Sequence, residues 1–334
     1  MLMNIGMWIK ALQVIPRVDQ EEWKRLDVIS RWLISTRAAV LIMTFISATI
    51  GGLLAAREGR FNFLYWLLVV IGLVFAHALN NLLNDYTDYN RGVDKDNYYR
   101  TQYGPQPLEA GLMTRRELLT YAAVTGLIAL AAGGYLVAMR GWLALLLLAI
   151  GAFFLFFYTW PLKYIGLGEI AVIIVWGPLM IGGSYFIITG QWDWRVVLAG
   201  LPYALGTTTV IYGKHIDKLD ADKAKGIHTL PVVIGEKAAR ISVQVMIALM
   251  YLLVIGLVIA GYFTPFMLVV LGALPLLPGT WKMLSNPRPA EPPPAYRESW
   301  PLWFVGAAFV HNRRFGMLFL LGLILDVAYR LIFT

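Results

Sequence analysis

From Phe61 to Asp94 the chain reads FNFLYWLLVVIGLVFAHALNNLLNDYTDYNRGVD. The first part of this stretch, residues 61–82, is almost entirely apolar. At about 1.5 Å per residue, an α-helix of that length crosses the roughly 30 Å hydrocarbon core of a membrane. A group of Asn and Asp side chains follows at once. The stretch therefore predicts a transmembrane helix that ends in a polar cluster at one membrane surface.

The rest of the chain repeats the apolar part of this pattern. Its 334 residues are 59% hydrophobic and 14% charged, whereas a soluble domain has about 25% charged residues. We therefore predict an all-α polytopic membrane protein with nine transmembrane helices. A tenth apolar segment, Trp300–Val310, is too short to span and is predicted to lie at the interface or to re-enter. The predicted spans are residues 36–56, 61–82, 118–139, 141–161, 167–189, 195–214, 241–262, 264–284 and 315–333.

The charged residues predict the topology. Residues 1–30 mix charges with Trp8 and Trp23 and lack the apolar core of a signal peptide, so we expect a cytoplasmic or interfacial segment followed by one transmembrane domain, 31–334. Most of the 28 Lys and Arg residues lie in this segment and in every second loop. By the positive-inside rule these parts are cytoplasmic, in a multi-pass protein of the plasma membrane. This topology explains the net charge of +8 without a nucleic-acid partner.

Two long cytoplasmic loops begin with clusters of acidic and amide side chains. If the second helix continues beyond the membrane, Asn84 and Asp88 lie one turn apart on one of its faces. The second cluster follows the sixth span, and both clusters are flanked by basic residues. The candidate metal ligands in the two loops are Asn84, Asp88, Asp94, Asp217, Asp220 and Asp222.

Carboxylates this close together repel one another unless a cation compensates their charge. Oxygen ligands in a chain without cysteine suit Mg²⁺, which takes one or two carboxylates and leaves its other positions to water and phosphate. Either cluster alone is more often a solvated loop or helix end. Because both follow an apolar span on the same side, the pair favours a cytoplasmic site in which the two clusters face each other and hold two Mg²⁺ ions and, through them, a diphosphate.

Several motifs carry a family resemblance: Asn84-Asp-Tyr-Thr-Asp88-Tyr-Asn-Arg-Gly-Val-Asp94, Gly104-Pro105, and Tyr158-Thr-Trp-Pro-Leu-Lys163 with Gly166-Leu-Gly-Glu169. Together they resemble the UbiA superfamily of intramembrane prenyltransferases. They are most similar to its branch that prenylates 1,4-dihydroxy-2-naphthoate in menaquinone synthesis (the MenA branch). The resemblance covers most of the chain from Arg37 to about Arg240. It implies a nine-helix bundle around a central cavity that is open sideways to lipid.

The resemblance also implies roles for individual side chains. Asp88 and Asp222, with the other motif residues, would hold Mg²⁺-diphosphate for the reaction, while Lys163 and Tyr158 would contact the diphosphate. Arg37 and Lys163 suit interfacial anchors as well, and Glu169 suits either a helix-dipole partner or a functional acid. The candidates for binding the substrate are Arg37, Asn84, Arg91, Lys163, Lys214 and Lys223.

The second motif departs from the family pattern at one position. The family usually has two Asp residues four apart, the second of them four before a Gly. Counting back from Gly226, Asp222 fits, but Lys218 stands where the first Asp is expected. Either the helix is broken here, or Asp217 and Asp220 take over while Lys218 points at the phosphate.

We therefore predict a Mg²⁺-dependent transfer of a polyprenyl group from its diphosphate to an aromatic acceptor, with 1,4-dihydroxy-2-naphthoate as the first choice. Within the family the alternative acceptors are 4-hydroxybenzoate, homogentisate, a tetrapyrrole and a glycerol-phosphate lipid. From a different class, an ion-coupled transporter would also have intramembrane acids. A transporter should place charges near the bilayer midplane and often shows inverted repeats, whereas these spans have few charges at mid-depth.

Overall fold

A computed structural model describes residues 3–95, 99 and 104–333, and this part of the chain is almost entirely helical. Three short helices precede the spans: α1 (Ile5–Gln13), α2 (Gln20–Arg25) and α3 (Val28–Ser35). Two short helices, α10 (Leu219–Ala224) and α11 (Leu230–Ile234), follow the sixth span. The longer helices are α4 (Ala38–Arg57), α5 (Phe63–Asn90), α6 (Arg115–Arg140), α7 (Trp142–Phe157), α8 (Gly168–Thr189), α9 (Trp194–Asp217), α12 (Glu236–Ile259), α13 (Pro265–Ser285) and α14 (Phe304–Phe333).

The structure confirms a multi-pass all-α architecture but not the number of nine spans. Within the described ranges, eight helices are long and apolar enough to cross a membrane. The exception is α7, which has 16 residues and reaches about 24 Å. It stops at Phe157 because Pro161 disfavours helical geometry at the preceding residue and removes a backbone donor. The central cavity stays a prediction.

The prediction for Trp300–Val310 was wrong. From Phe304 onward this segment forms the first turns of α14, which runs for 30 residues. The polar residues His311 and Asn312 interrupt the apolar pattern, yet both are buried inside the helix bundle. His311 Nε2 lies 2.8 Å from the Tyr251 hydroxyl of α12. A polar pair that is buried against neighbouring helices does not end a helix, so hydropathy alone misplaced the boundary.

Helix α9 lies at the centre of the bundle and is the most buried of the eight spans. It packs against α4, α8, α12 and α14. At Gly213 a Cβ atom would come within 2.8 Å of the backbone of Phe304 and Val305. The missing side chain therefore lets the start of α14 approach α9 closely. This contact fixes the C-terminal end of α9, which carries the second acidic motif.

The N-terminal helices pack on the loop that precedes α6, through a cluster that contains Met7, Trp23 and Leu112. On the opposite face of α1, Ile5 and Ile9 are exposed. An apolar face beside charged neighbours suits a helix that lies on a membrane surface. The interfacial position of residues 1–30 and the division into two parts stay predictions.

Asp27 holds this N-terminal segment together. Its carboxylate accepts hydrogen bonds from Asn4 N (3.1 Å), Trp8 Nε1 (3.0 Å), Ser30 N (2.9 Å) and Ser30 Oγ (2.6 Å). Burial alone would raise the pKa of Asp27, but the hydrogen bonds from Ser30, Trp8 and Asn4 outweigh burial and hold the pKa below its usual range. One carboxylate thus caps α3 and fastens α1 to it.

We predict that Asp27→Asn loosens α1 by about 1–2 kcal/mol at neutral pH, because an amide accepts fewer and weaker hydrogen bonds than a carboxylate. Hydrogen exchange of the α1 amides measures this opening. A carboxyl group with a lowered pKa stabilises the fold above its unfolded pKa, so the difference from the wild type should shrink below about pH 4.

Asp19→Asn is the matched control, because Asp19 is exposed and accepts one hydrogen bond, from Glu22 N at 2.8 Å. Equal exchange rates in the Asp27 variant and the wild type at pH 7 would show that the carboxylate does not fasten α1.

Candidate active site

The first acidic motif lies on a helix that is longer than the membrane is thick. Helix α5 has 28 residues, about 42 Å, so its last turns extend past the hydrocarbon layer. They place Asn84 and Asp88 one turn apart, and both side chains are buried. Gly92, with φ of 67°, then reverses the chain, and Val93 N donates to Asp88 O at 2.9 Å. This turn returns Asp94, also buried, towards the end of the helix.

Two buried cations come from other parts of the chain to meet these acids. Lys163 Nζ donates to both carboxylate oxygens of Asp88, at 3.1 and 3.3 Å. Arg37 forms an ion pair with Asp85, and both side chains are buried. Arg37 precedes α4 in the left-handed region, with φ of 55°. This conformation costs a non-glycine residue about 1 kcal/mol or more. With this backbone, the guanidinium group of Arg37 reaches Asp85 of the first motif.

The loop between α7 and α8 holds Lys163 in position. Lys163 N donates to Tyr158 O at 3.0 Å. A Cβ atom at Gly168 would lie 3.4 Å from Lys163 Cα and 3.7 Å from the Tyr158 ring. The start of α8 therefore packs directly on both residues, and Tyr158 lies beside the Lys163–Asp88 pair.

The second motif contains the break that the sequence left open as one alternative. Helix α9 ends at Asp217, and α10 begins at Leu219. Lys218 lies between them, and its Nζ is 3.0 Å from Asp222 Oδ1, with both side chains buried. Asp217 points elsewhere, since its oxygens accept from Phe304 N (3.0 Å) and Val305 N (2.9 Å) at the start of α14.

The remaining predicted residues lie at the edge of this cluster. Asp220 and Lys223 are exposed, and Lys214 is half-buried. Arg91 is exposed as well, with its guanidinium carbon 4.5 Å from the centre of the Trp160 ring. Of the candidates from the sequence, the structure gathers Arg37, Asn84, Asp88, Asp94, Lys163 and Asp222 into one buried group.

The two motifs are joined across the loops. Lys225, just after α10, donates to the backbone oxygens of Val93 and Lys95 on either side of Asp94. Burial raises the pKa of Asp94 to about 6, and the charge of Asp88 adds to this effect. The positive charges of Arg37, Lys163 and Lys218 oppose the rise. The pKa of Asp94 therefore depends on charges from both motifs.

The first motif has the chemistry of a Mg²⁺ site. Asn84 Oδ1 is buried and has no hydrogen-bond partner among the described residues. Beside it are the carboxylates of Asp88 and Asp94, and such a set of oxygens suits Mg²⁺. In the described part of the chain, no three Asp, Glu or His side chains come close enough together to hold a metal ion by themselves. The residues therefore fit an ion that binds a few protein oxygens and completes its shell with phosphate and water.

Sequence reasoning missed several partners. His215 Nδ1 lies 2.6 Å from Glu169 Oε1, and both side chains are buried. The other Glu169 oxygen accepts from Leu230 N at 3.3 Å. The pair links α8, α9 and α11 beneath the acidic cluster. In the sequence, Glu169 and His215 stand out as polar residues at the ends of spans. Their spacing of 46 positions does not indicate that they are paired.

Known proteins are similar to this chain in sequence and in fold. The model of the UbiA prenyltransferase family matches residues 44–305. A 1,4-dihydroxy-2-naphthoate octaprenyltransferase from Bacillus subtilis (strain 168) is 27% identical over 243 residues, 72% of this chain and 77% of that protein.

Solved structures share the fold. The apo structure of a UbiA homolog from Aeropyrum pernix K1 matches with a TM-score of 0.61 and 20% identity, over 86% of this chain and 98% of that one. A UbiA homolog from Archaeoglobus fulgidus bound to GPP and Mg²⁺ matches with a TM-score of 0.55 and 16% identity, over 86% and 99%. The family that the motifs indicated is confirmed: the chain belongs to the UbiA prenyltransferase family.

Proposed function

We propose that this protein transfers a polyprenyl group from a polyprenyl diphosphate to an aromatic acceptor, with Mg²⁺ as cofactor and 1,4-dihydroxy-2-naphthoate as acceptor. The observation that carries the proposal is the buried group at the ends of α5 and α9. There Lys163 and Arg37 lie among carboxylates, beside an Asn84 oxygen that has no hydrogen-bond partner in the described part of the chain. The B. subtilis relative named for that acceptor and the A. fulgidus homolog bound to GPP and Mg²⁺ support it.

In this proposal each part of the group has a task. Asn84, Asp88 and Asp94 hold Mg²⁺, which, when bound, neutralises the diphosphate and makes it a better leaving group. Lys163 and Arg37 donate to diphosphate oxygens while their partner carboxylates keep them in place. Tyr158 lies next to Lys163 and offers a hydroxyl donor. Lys214 and Lys223, nearer the surface, attract the anionic substrate.

The reaction then breaks the bond between C1 of the prenyl group and the diphosphate oxygen, and the diphosphate leaves with the electron pair. The electron-rich ring of the acceptor attacks C1. With dihydroxynaphthoate as acceptor, loss of CO₂ restores the aromatic ring. The buried position of the cluster keeps water from C1 and so limits hydrolysis of the prenyl cation.

The proposed location is the plasma membrane, with the N-terminus and the acidic cluster on the cytoplasmic side. The long apolar tail of the substrate then stays in the bilayer while the diphosphate reaches the cluster. Other acceptors of the family remain alternatives for the assay to separate. The transporter alternative loses its basis, because the chain belongs to a prenyltransferase family.

The acceptor assay tests the proposal directly. Purified protein is mixed with labelled geranyl diphosphate and each candidate acceptor in turn. We expect a prenylated, decarboxylated naphthol product with dihydroxynaphthoate, and no product after Mg²⁺ is removed with EDTA and none is added back. A product with 4-hydroxybenzoate or with a glycerol-phosphate lipid instead would replace the proposed acceptor. A protein that prenylates none of them would refute the proposed activity.

We further predict that Asp88→Asn lowers the rate of transfer about 10²- to 10³-fold, because it removes one charge from the metal ligands and the partner of Lys163. Product formation measures the rate, and thermal unfolding in detergent checks that the variant is folded. Glu291→Gln, an exposed acid in the connector before α14, is the control and should keep wild-type activity. A folded Asp88→Asn enzyme with wild-type activity would be incompatible with this site.

A further inference from the structure

The second motif does not bring together enough ligands for a metal ion. Phe304 N and Val305 N donate to the two oxygens of Asp217, at 3.0 and 2.9 Å. Asp220 is exposed on α10. Asp222 remains, and its carboxylate already lies against a buried cation. The first motif differs, because it offers two acids together with an Asn84 oxygen that none of the described residues binds.

The cation beside Asp222 is Lys218, and its ammonium group has the capacity to bind a further anion. Its side chain is buried, and Nζ lies 3.0 Å from Asp222 Oδ1. An ammonium group has three donors, and the described residues offer Nζ no further partner. The neighbouring Lys225 binds the backbone on both sides of Asp94, so the loop that carries Lys218 is fastened to the first motif.

From this arrangement, and resting on the proposed function, we propose that Lys218 takes the place of a second metal ion. Its ammonium group binds the diphosphate from the side of the second motif, so that one Mg²⁺, held by the first motif, suffices. When the bond from C1 to the diphosphate oxygen breaks, the electron pair and its charge stay on the diphosphate. Lys218 stabilises this charge without giving up a proton.

Asp222 is then a positioning residue. Its carboxylate forms an ion pair with the Lys218 ammonium group at 3.0 Å, and so it holds this group in place and compensates a charge that would be costly to bury alone. Lys218 and Asp222 are four residues apart, so about one helical turn brings them together, whereas Asp217 lies about 140° from Asp222 around a helix. Asp217 instead caps the start of α14.

The number of metal ions tests this inference without any chemistry. The full-length chain in lipid nanodiscs is saturated with geranyl diphosphate, without acceptor, and bound Mn²⁺ is counted by electron paramagnetic resonance. We expect one Mn²⁺ per chain and no spin coupling between two ions. Two Mn²⁺ per chain would overturn the inference. If one Mn²⁺ and geranyl diphosphate bind but no acceptor is ever prenylated, the proposed transfer activity fails, whereas the single metal ion and the binding of diphosphate by Lys218 are still supported.

Variants test the lysine itself. Lys218→Met should weaken the binding of geranyl diphosphate at fixed Mn²⁺ about 10- to 100-fold, whereas Lys218→Arg, which keeps the charge, should stay within about tenfold of the wild type. Lys237→Met removes an exposed lysine from the first turn of α12 and should leave binding unchanged. Isothermal titration calorimetry measures the affinity.

A lysine that only stabilises the fold gives a different pattern. Lys218→Met would then lower the unfolding temperature while the folded fraction binds geranyl diphosphate as tightly as the wild type. That result would overturn the inference. Because the Mn²⁺ count uses the unaltered protein, the inference stays testable even if Lys218→Met does not fold.

Discussion

A carboxylate buried at the edge of a hydrocarbon layer loses its hydration, and the cost is several kcal/mol unless a cation lies beside it. In this protein that constraint is met between segments far apart in sequence. Asp85 meets Arg37, Asp88 meets Lys163, and Asp222 meets Lys218. Because the first two partners come from other segments, pairing the charges also assembles the site. The cations that neutralise the acids are the groups that a diphosphate would bind.

The same constraint acts at the opposite end of the bundle, with a different result. Asp326 is fully buried in α14, and one of its oxygens lies 3.5 Å from both Arg57 and Arg330. Thr264 N donates to its other oxygen at 2.6 Å. This cluster links α4, α13 and α14. At the other end of the bundle, the acids of the first motif pair with Arg37 and Lys163 beside Asn84 Oδ1, which has no hydrogen-bond partner among the described residues.

The sequence predicted the parts that depend on local pattern. Apolar runs located most spans, and the spacing of Asn84 and Asp88 placed them on one face of α5, because a helix repeats every 3.6 residues. The sequence did not predict the helix boundaries that depend on tertiary contacts. Because His311 and Asn312 are polar, the sequence predicted that the last span begins only after them. Their burial against other helices is not a property of the local sequence. Helix α7 has 16 residues and ends before the turn that contains Pro161, so it is shorter than the predicted span 141–161.

In the candidate site, residue types could be predicted but pairings could not. The sequence marked Lys218 as an anomaly and left two explanations open. The structure shows the helix break, and beside it Asp217 caps α14 in a contact across 87 positions. The Glu169–His215 pair likewise joins two spans that only the folded bundle brings together.

The most direct test is the structure of the full-length chain with Mn²⁺ and a non-hydrolysable geranyl thiolodiphosphate, with the manganese located by its anomalous scattering. The account predicts one manganese peak against Asn84, Asp88 and Asp94, and a diphosphate that contacts Lys163 on one side and Lys218 on the other. A diphosphate bound away from the ends of α5 and α9, or a manganese peak at Asp217 or Asp220, would contradict it.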